Sequence, residues 1–576
     1  MPFSISIDPS EGRMAHTRHT FSKLAEKDVL LLAEVFALAI GPGDLIALHG
    51  ELGAGKSTFA RGLIRALMRE RMDDADPRLD DIPSPTFTLA QAYRDVRVPI
   101  MHFDLYRLGA PAEVHELGLD LALNEGAALI EWPENASGEL PAFTFQIVLS
   151  DASPSSHADG TTTGFDLRQV EVSASDNAIS RLARLTAAFD LVLSTSTQLN
   201  MSPQLAHFHG DASSRTYARI VPRVGFGADS TLDDCEKAKA AGMASHPVSA
   251  LLMDWPAQPD GPPVKRGLPY SQIAHIAEDM RSFLGVAHAL RSEGLAVPTI
   301  HGVDVDAGLM VLEDFGPRVF GSLVASGHDL LPLWSNAIDV LARLRAVRPP
   351  THLTSPDFEG RVPLPNYDRE ALTIEVELLL DWYWPMAHGA AVSDEMRARF
   401  LAAWDKPFDL ITEEPHHWVL RDFHSPNLID CPQATGVQGT GLIDFQDAVR
   451  GPAAYDVVSL IQDARLDVPE EYEPVLLERY ASQVRDAEFY FDAFKASYVV
   501  MGAQRATKIL GIFARLSQRD GKPQYLAHVP RLWRYLTRNL NDPGLTERAG
   551  MSDLANWFDD AFPPETRSAL HGFETT

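Results

Sequence analysis

Apolar and polar positions in the first part of the chain predict a strand, a glycine-rich loop and a helix, in that order. A short apolar run, DLIALH, precedes the loop GELGAGKST and has the length of a buried strand. After the loop, apolar residues recur at helical spacing and form one stripe: Phe59, Ala60, Leu63, Ile64, Leu67 and Met68. A helix with one buried face is therefore expected directly after the loop.

The remainder of the chain contains a second region with a different pattern. A boundary lies near Val192–Gln204, after which strand patterns come first and long helical patterns rich in Trp, Arg and Leu follow. Two polar stretches, 71–81 and 151–164, predict surface loops in the first third. The stretch beyond about Pro543 predicts a peripheral helix or tail. The predicted divisions are a domain at 20–190, a domain at 203–545 and a C-terminal tail at 546–576.

Length and charge limit the classes of protein to which this chain can belong. With 576 residues it is too long for one hydrophobic core, and we expect about two to four domains. The formal net charge of −29 disfavours a protein that binds nucleic acid through a broad basic face. Any role on RNA is therefore expected to be local or to run through a protein partner.

Cysteine content and the apolar runs predict a cytoplasmic protein that does not enter a membrane. Its two cysteines, Cys235 and Cys431, are too few and too far apart for a disulfide scaffold or a thiolate metal site. The most apolar early run, VLLLAEVFALAIG, carries Glu34 and is shorter than the roughly 20 residues that span a bilayer, so it predicts a packed helix. The first residues lack the basic and apolar pattern of a signal peptide.

The loop between the first predicted strand and helix fits the P-loop pattern. In Gly50-x-x-x-x-Gly55-Lys56-Ser57 the backbone N–H groups and the helix N-terminus point at phosphates, and the glycines let the backbone approach them. We expect Lys56 to reach the β- and γ-phosphates of ATP and the Ser57 hydroxyl to bind Mg²⁺. The predicted nucleotide-binding residues of the loop are Gly50, Glu51, Leu52, Gly53, Ala54, Gly55, Lys56, Ser57 and Thr58.

Two acidic residues stand where apolar runs end, downstream of the P-loop. Asp104 lies in HFDLYRL after the run VPIM, and Glu131 lies in LIEWPE at the end of a further predicted strand. A carboxylate at the C-terminal end of a strand beside a P-loop is where an acid that binds Mg²⁺ or orients water belongs. Asp104 and Glu131 are therefore the candidate catalytic acids of this region.

The motifs HGELGAGKSTFARGL, SPTFTL, HFDLYRL and IEWPE, in this order, resemble the TsaE family of bacterial ATPases in tRNA threonylcarbamoyladenosine synthesis. The resemblance covers about residues 20–180 and implies a small P-loop α/β domain. It implies ATP hydrolysis within a complex that modifies adenosine 37 of tRNA. The tRNA would be contacted through partner subunits. Carried over, Lys56 and Ser57 would hold the phosphates and the metal. Glu131 would be a second metal-site or catalytic acid, and Trp132 would lie near the nucleotide.

A second phosphate site is predicted far along the chain, in WVLRDFHSPNLID. Asp422-x-x-x-x-Asn427 has the spacing of a kinase catalytic loop, in which the Asp accepts the substrate hydroxyl proton and the Asn binds Mg²⁺. The apolar run GLI leads into Asp444 shortly downstream, where a kinase carries its metal-binding Asp. Asp456 heads an apolar helix further on and is expected to be a structural or capping acid.

Other segments fit the small lobe of a two-lobed kinase, with one part missing. HGDASSRTYARI predicts two strands joined by a turn over the phosphates. LMVLEDFG predicts the inter-lobe segment that contacts adenine, with Glu313 as the candidate residue. A kinase small lobe usually carries a Lys to the α- and β-phosphates, but PVSALLMDW has none. Arg219 and Lys265 are the candidate replacements, and a pseudokinase is the alternative.

Together with LLMDWP, LEDFG, LRDFHSPNLI and IDFQDAVRGPAAYDVVSLIQDAR, these segments resemble the aminoglycoside-phosphotransferase superfamily, and within it the AmgK branch of cell-wall amino-sugar kinases. The resemblance covers about residues 203–540 and implies phosphorylation of the anomeric hydroxyl of N-acetylmuramate and N-acetylglucosamine. It implies Asp422 as the base and Asn427 and Asp444 as metal ligands; the branch also has LMD where the lysine is missing. Five further residues are expected to bind the sugar or to brace the large lobe: Asp368, Glu375, Asp381, Arg505 and Lys508.

The sequence therefore predicts an α/β P-loop NTPase domain followed by an α+β, two-lobed, protein-kinase-like domain of the aminoglycoside-phosphotransferase type. The small lobe is placed at about 203–315 and the large lobe at about 316–545. The expected cofactors are ATP and Mg²⁺, and the expected partners are subunits of a tRNA-modifying complex and an amino-sugar substrate. The alternatives are phosphorylation of an aminoglycoside or a choline-like alcohol, and a non-catalytic ATP-sensing scaffold for that complex. We expect the two sites to work independently.

Overall fold

The computed structural model describes residues 17–569 apart from 70–81, 153–166, 210–214, 224–248, 257–260, 487–488, 545 and 548. The chain divides into two compact units: unit 1 is Met1–Pro256 with Thr299–Asp314, and unit 2 is Ala257–Pro298 with Phe315–Thr576. The predicted polar loop at 71–81 lies outside the described residues, as does most of the one at 151–164.

A seven-stranded sheet forms the centre of the N-terminal part of unit 1. Its strands are β1 (Thr17–Leu24), β2 (Leu45–His49), β3 (Ala90–Tyr93), β4 (Ile100–Asp104), β5 (Ala127–Glu131), β6 (Phe145–Asp151) and β7 (Arg168–Ala174). Their order across the sheet is β1–β7–β6–β2–β5–β4–β3. β4, β5, β2 and β6 run parallel, and the outer pairs are antiparallel. Because β2 and β5 are central and covered on both faces, they are apolar nearly throughout.

Helices cover both faces of this sheet. They are α1 (Glu26–Ala39), α2 (Lys56–Arg69), α3 (Leu119–Glu125) and α4 (Ile179–Gln198). Side chains alternate along β5, so that Leu129 joins the core formed with α1, α2 and α4, whereas Ile130 joins a second core on the side of α3. The predicted strand, loop and helix are confirmed as β2, the P-loop and α2, and the whole predicted apolar stripe of α2 is buried.

A second sheet completes unit 1. Its strands are β8 (Pro203–His209), β9 (Thr216–Pro222), β10 (Ala250–Asp254), β13 (Ile300–Asp304) and β14 (Leu309–Glu313). All neighbours are antiparallel, in the order β13–β14–β10–β9–β8. Apolar residues of this sheet belong to the same buried core as α1, α2 and α4. The division between the units therefore falls inside the predicted small lobe, and residues 210–214 of its predicted phosphate turn lie outside the described residues.

Unit 2 is mainly helical. Its helices are α5 (Tyr270–Ile273), α6 (Met280–Ser292), α7 (Phe320–Ala325), α8 (Leu330–Arg345), α9 (Arg369–Leu378), α10 (Trp384–His388), α11 (Asp394–Ala403), α12 (Asp405–Thr412), α13 (Ala454–Ile461), α14 (Tyr472–Gln483), α15 (Phe491–Asp520), α16 (Val529–Leu540), α17 (Ser552–Ala561) and α18 (Pro564–Ala569). A π-helical turn at Leu379–Tyr383 joins α9 to α10.

Among the described residues, four two-stranded ribbons accompany these helices. They are β11 (Pro263–Lys265) with β12 (Leu268–Pro269), β15 (His352–Ser355) with β16 (Phe358–Pro363), β17 (His417–Val419) with β20 (Val449–Gly451), and β18 (Leu428–Asp430) with β19 (Thr440–Leu442). The last two ribbons flank the predicted catalytic loop. The helical patterns expected in the second half of the chain are thereby confirmed, and the strands of this unit are short.

The C-terminal segment, predicted as a peripheral helix or tail, forms helices that pack in unit 2 and is not a free tail. Leu554, Trp557 and Phe558 of α17 are buried, as is Phe562 directly after it. The ring of Trp557 lies 4.5 Å from the ring of Phe400 in α11. The helical spacing of these apolar residues explains the difference, because it forms one face that water would otherwise contact.

No helix among the described residues combines the length and the apolar character needed to cross a bilayer. The apolar run that carries Glu34 forms α1, a helix of 14 residues that packs in the core of unit 1.

Replacement of Gly511 by Ala is expected to destabilise unit 2. A Cβ at Gly511 in α15 would lie 2.5 Å from the carbonyl oxygen of Leu378 in α9, and backbone cannot move aside cheaply. Gly511→Ala should lower the free energy of unfolding by about 1–3 kcal/mol, measured by urea denaturation. The matched control is Gly439→Ala, where the nearest atom is the carbonyl oxygen of Ala434 at 3.7 Å. Equal stability of the two variants would contradict close contact between α9 and α15.

Candidate active sites

The P-loop joins the end of β2 to the start of α2, and two glycines permit its shape. Gly50 has φ +142°, and a Cβ there would overlap the carbonyl oxygen of Leu149 in β6. Gly55, with φ +105°, leads into α2, which begins at Lys56. Glycine adopts both conformations readily, whereas other residues are strained in them. The loop can therefore curl around the N-terminus of α2, where phosphate binds favourably.

The ammonium of Lys56 is held inside this loop. Lys56 Nζ donates to the carbonyl oxygens of Gly50 (2.7 Å) and Glu51 (2.9 Å), and it lies 3.5 Å from the ring centroid of Trp132. Burial lowers the pKa of Lys56, while the charge of Glu131 raises it. A fixed cation thus stands in the loop that the sequence predicts to hold phosphates.

Glu131 connects the P-loop to the ends of two parallel strands. The register of β4 and β5 places Asp104 and Glu131 side by side. The Ser57 hydroxyl donates to Glu131 Oε2 at 2.8 Å, and His102 Nε2 lies 2.9 Å from Glu131 Oε1. Both Glu131 and His102 are buried. Because each carboxylate oxygen has a partner, Glu131 is held in one orientation toward Ser57.

Asp104 is oriented by groups from the motifs SPTFTL and HFDLYRL. Thr86 Oγ1 donates to Asp104 Oδ2 at 3.0 Å, and Ser84 Oγ donates to the same oxygen at 3.4 Å. The backbone N–H of Tyr106 donates to Asp104 Oδ1 at 3.1 Å. Asp104 is therefore fixed at the C-terminal edge of the sheet, where an acid that binds a metal or orients water is expected.

These groups surround one cavity of about 290 Å³. The residues that line it are Leu52, Gly53, Gly55, Lys56, Ser57, Thr58, Thr86, Asp104, Tyr106, Glu131 and Trp132. Of the residues predicted for this site, Gly50, Glu51 and Ala54 belong to the loop without lining the cavity. The structure thus brings the P-loop, both acids and Trp132 together, and their chemical roles stay predictions.

The second predicted site lies in unit 2, where a loop connects β17 to β18. Asn427 Nδ2 donates to the carbonyl oxygen of Asp422 at 3.0 Å and to Asp444 Oδ2 at 3.4 Å. Gln446 Nε2 donates to Asp444 Oδ1 at 3.1 Å. The antiparallel register of β18 and β19 creates this arrangement, because it aligns the residues after Asn427 with those before Asp444. All three predicted kinase residues are therefore neighbours.

The charges at this second site fit a divalent cation. The side chain of Asp422 is 40 % exposed, yet desolvation by the surrounding lobe, followed by the charge of Asp444, raises its pKa. Asn427 directs its amide nitrogen at the backbone of Asp422, so its amide oxygen is available as a ligand. Carboxylate and amide oxygens are ligands that Mg²⁺ accepts. Asn427 and Asp444 would therefore hold Mg²⁺ in this position.

Three non-glycine residues at the two sites have left-handed backbone conformations. The φ angle is +60° at Trp132, +68° at Arg421 and +59° at Asp444. Such conformations are strained and persist where surrounding contacts hold them, as they often do at functional sites. Each of the three is a predicted site residue or the direct neighbour of one, which agrees with the sites proposed from the motifs.

Buried acids hold the backbone of the catalytic loop. Asp456 accepts hydrogen bonds from the backbone N–H of Leu420 (2.6 Å) and of Arg421 (3.0 Å). Asp463 accepts one from the backbone N–H of Ser425 at 2.9 Å. Burial raises the pKa of Asp456 to about 7, although these hydrogen bonds lower it. The structural role expected of Asp456 is confirmed.

Glu375 links the catalytic loop to α15 through a buried ionic network. Its carboxylate pairs with the guanidinium of Arg421 and accepts hydrogen bonds from Lys508 Nζ (2.8 Å) and Gln504 Nε2 (2.9 Å). Burial would raise the pKa of Glu375, but Lys508 and Arg421 together outweigh it and lower that pKa to about 2. Arg421 directly precedes Asp422, so a buried charge anchors the predicted base.

The other residues left open between sugar binding and bracing also make contacts within unit 2. Asp368 caps the start of α9, and Asp381 pairs with Arg397. Arg505 donates to the carbonyl oxygen of Gln462 at 3.3 Å. These contacts, with those of Glu375 and Lys508, favour bracing over sugar binding for all five residues.

The residues considered for the small lobe are engaged in polar contacts. Arg219 Nε donates to Asp314 Oδ2 at 2.6 Å, and Lys265 pairs with a glutamate of α9 at 3.1 Å. Glu313 Oε2 accepts hydrogen bonds from the backbone N–H and the hydroxyl of Thr299. Arg219 or Lys265 would have to leave its present partner to reach a phosphate.

Sequence reasoning missed three polar residues at these sites: His102, Arg421 and Gln446. His102 stands two positions before Asp104, on the same side of β4, and Arg421 directly precedes Asp422. The available signal was adjacency to a motif acid. Adjacency alone does not distinguish a supporting residue from a surface one. The partners of His102 and Arg421, which are Glu131 and Glu375, are distant in sequence, so no local pattern marks these two residues as supporting.

The two sites define two classes of protein in one chain, a P-loop ATPase and a kinase-like phosphotransferase. Residues 24–158 match the family described as threonylcarbamoyl adenosine biosynthesis protein TsaE, and residues 268–491 match the phosphotransferase enzyme family.

Curated relatives match each part of the chain. The N-acetylmuramate/N-acetylglucosamine kinase of Caulobacter vibrioides is 36% identical over 315 residues, which cover 54% of this chain and 84% of that protein. The tRNA threonylcarbamoyladenosine biosynthesis protein TsaE of Rickettsia typhi is 39% identical over 116 residues, 20% of this chain and 74% of that protein. TsaE of Rickettsia felis is 41% identical over 109 residues, 19% of this chain and 59% of that protein.

The chain therefore belongs to the TsaE family in its N-terminal part and to the N-acetylmuramate/N-acetylglucosamine kinase family in its C-terminal part. Both resemblances read from the motifs are confirmed, and so is the predicted fold class.

Loss of the Glu375 carboxylate is expected to destabilise unit 2 strongly. Glu375→Ala leaves Arg421 and Lys508 buried without their counter-charge, which should lower the free energy of unfolding by about 3–5 kcal/mol. The matched control is Glu370→Ala on the same helix, whose pair with Arg266 is exposed and should contribute about 0–1 kcal/mol. Urea denaturation measures both. A Glu375 variant as stable as the Glu370 variant would exclude an anchoring role for the network.

Proposed function

We propose that the chain is a bifunctional enzyme with two ATP-dependent activities. The N-terminal half is the ATPase subunit of a complex that forms N6-threonylcarbamoyladenosine at adenosine 37 of tRNA. The C-terminal half phosphorylates the anomeric hydroxyl of N-acetylmuramate and N-acetylglucosamine in cell-wall recycling. One observation supports both assignments, namely that the motif residues of each family are neighbours in space: Lys56, Ser57 and Glu131 in unit 1, and Asp422, Asn427 and Asp444 in unit 2.

In the kinase half, Asp422 is the base that acts on the sugar. Its partly exposed carboxylate accepts the proton of the anomeric hydroxyl, and its raised pKa makes it a stronger base than an ordinary aspartate. Asn427 and Asp444 would hold Mg²⁺, which would supply positive charge to the phosphoryl group. The anchoring of Arg421 by Glu375 keeps Asp422 in position, since misplacement of a reacting group slows phosphoryl transfer.

In the ATPase half, the N–H groups of the P-loop and Lys56 bind the phosphates of ATP. Ser57 and Glu131, whose side chains are hydrogen-bonded to each other, would hold Mg²⁺, which would supply charge that offsets that of the phosphates. Asp104, fixed beside Glu131, orients the attacking water. Trp132 borders the nucleotide next to Lys56.

The proposed partners and location follow from the relatives and from charge. TsaE relatives are named for tRNA threonylcarbamoyladenosine biosynthesis, and we infer that the N-terminal half works with other protein subunits of that process. The net charge of −29 supports contact with tRNA only through those subunits. The cytoplasm, without membrane contact, is the compartment in which both activities would operate.

Sugar phosphorylation is expected to depend on Asp422. The purified chain should consume ATP with N-acetylmuramate and N-acetylglucosamine, and Asp422→Asn should reduce the rate about 10²–10⁴-fold because it removes the base. The matched control is Asp405→Asn, an exposed acid of unit 2 outside the site, which should keep the rate of the unchanged chain. Phosphate-transfer assays with choline and kanamycin run in parallel.

The outcomes of this assay separate the candidate functions. Turnover with choline or kanamycin alone would assign another small alcohol to the kinase half. If the chain phosphorylates none of the four compounds, the non-catalytic scaffold would be favoured. The absence of the small-lobe lysine would then be the central observation. An unchanged rate in Asp422→Asn would refute the assignment of the base.

Removal of the Lys56 ammonium is expected to abolish nucleotide binding at the P-loop. Isothermal titration of the full chain with Mg²⁺ and ADP should detect two binding events per chain, and Lys56→Ala should leave only the kinase event because the phosphates lose their cation. Lys27→Ala, at an exposed lysine of α1, is the control and should keep both. Two events in Lys56→Ala would contradict the proposed P-loop function.

A further inference from the structure

One face of the five-stranded sheet is buried against the helices of the ATPase half. Seven apolar residues form this face: Leu205, Ala218, Ile220, Ala250, Leu252, Leu309 and Val311. None of them is more than 1 % exposed, and all belong to the core that contains the apolar residues of α1, α2 and α4. Along β9, β10 and β14 they alternate with residues of the opposite face, as expected of a sheet that packs on one side.

The contact extends to the backbone at β13. A Cβ on Gly302 would lie 2.9 Å from both Leu191 Cδ1 and Thr195 Oγ1 of α4. A real Cβ essentially never approaches other atoms so closely, so these two side chains of α4 occupy space that the missing Cβ of Gly302 leaves. Helix and strand are therefore in van der Waals contact.

A buried ion pair fixes the position of α1 on the sheet. Glu34 Oε2 in α1 accepts hydrogen bonds from Arg223 NH2 at 2.9 Å and from the backbone N–H of Leu205 at 3.0 Å. His207 Nε2 lies 3.0 Å from the carbonyl oxygen of Glu34. The side chains of Glu34 and Arg223 are only 3% and 6% exposed. Because a buried charge is unfavourable without its partner, this pair disfavours any shifted packing of α1.

A second ion pair joins α4 to the central strand of the same sheet. The Arg184 guanidinium pairs with Asp254 at the end of β10, and it also donates to the carbonyl oxygen of Ala307. The two ion pairs and the apolar face thus connect all three helices of the ATPase core with the strands assigned by sequence to the kinase small lobe.

We propose that the ATPase half is a structural part of the kinase small lobe, so that the five-stranded sheet folds only together with α1, α2 and α4. Sugar phosphorylation then requires an intact ATPase core, even though the chemistry of the two sites is separate. Without these helices the seven apolar side chains would contact water, and β8 and β9, which lead to the predicted phosphate turn, would lose their support. This proposal rests on the proposed kinase activity only for the second of the two tests that follow.

The first test is hydrogen exchange of the unchanged full chain at increasing urea concentration. Peptides that report β5, at the centre of the ATPase sheet, and β10, at the centre of the second sheet, should lose protection at the same urea concentration. Protection of β10 that survives the loss of β5 protection would overturn the proposal, because the second sheet would then be stable without the ATPase core.

The second test weakens the interface without touching either site. Glu34→Gln keeps an acceptor for Leu205 but removes the charge opposite Arg223, so exchange in β8 should quicken and the KM for ATP in sugar phosphorylation should rise about fivefold or more. Glu26→Gln, an exposed acid at the start of the same helix, is the matched control and should alter neither. Identical behaviour of the two variants would overturn the proposal.

Hydrogen exchange and the KM for ATP together distinguish a failure of this inference from a failure of the proposed function. If the unchanged chain phosphorylates no sugar, the proposed kinase function fails, while exchange of β5 and β10 still decides the inference. If Glu34→Gln does not fold, the exchange experiment on the unchanged chain remains decisive.

Discussion

Buried carboxylates hold both phosphate sites in place, and each depends on the groups that match its charge. An ionised carboxylate removed from water is unfavourable unless hydrogen-bond donors or cations surround it. Glu131 meets this requirement with Ser57 and His102, and Glu375 meets it with Arg421 and Lys508. Because one partner of each acid belongs to a phosphate-binding or catalytic loop, satisfying the charge also fixes that loop. Burial of charge therefore serves positioning as much as stability.

The two predicted sites differ in the groups that would face the phosphates. The P-loop uses glycines and the N-terminus of α2, so much of the affinity proposed for phosphate would come from backbone groups. The kinase loop uses side chains on short ribbons, with Asn427 and Asp444 brought together by the register of β18 and β19. The first arrangement suits a nucleotide that acts as an energy source or switch. The second leaves Asp422, the proposed base, partly exposed, so that a small-molecule substrate could reach its carboxylate.

The presence of both activities in one chain has a physical consequence in unit 1. The apolar face of the five-stranded sheet and the helices of the ATPase half share one core, and the pair of Glu34 with Arg223 lies inside it. A linker that merely tethers two domains would leave each with a core of its own. The junction between the halves is thus an internal contact of one unit, and the boundary drawn from sequence near Val192–Gln204 is not a boundary in the packing.

Local motifs determined the two families and the fold class and supplied the candidate site residues, because phosphate chemistry needs particular residues close together in sequence. The P-loop residues and the pair of Asp422 with Asn427 are of this kind, and the structure brings them together as expected. Tertiary structure alone decided which charges are buried and paired. Glu34 and Arg223 are 189 residues apart, and Glu375 and Lys508 are 133 apart, so no local pattern connects them. The same reason explains why the sequence left the C-terminal segment open between a helix and a tail, because its apolar stripe packs against a helix that is distant in sequence.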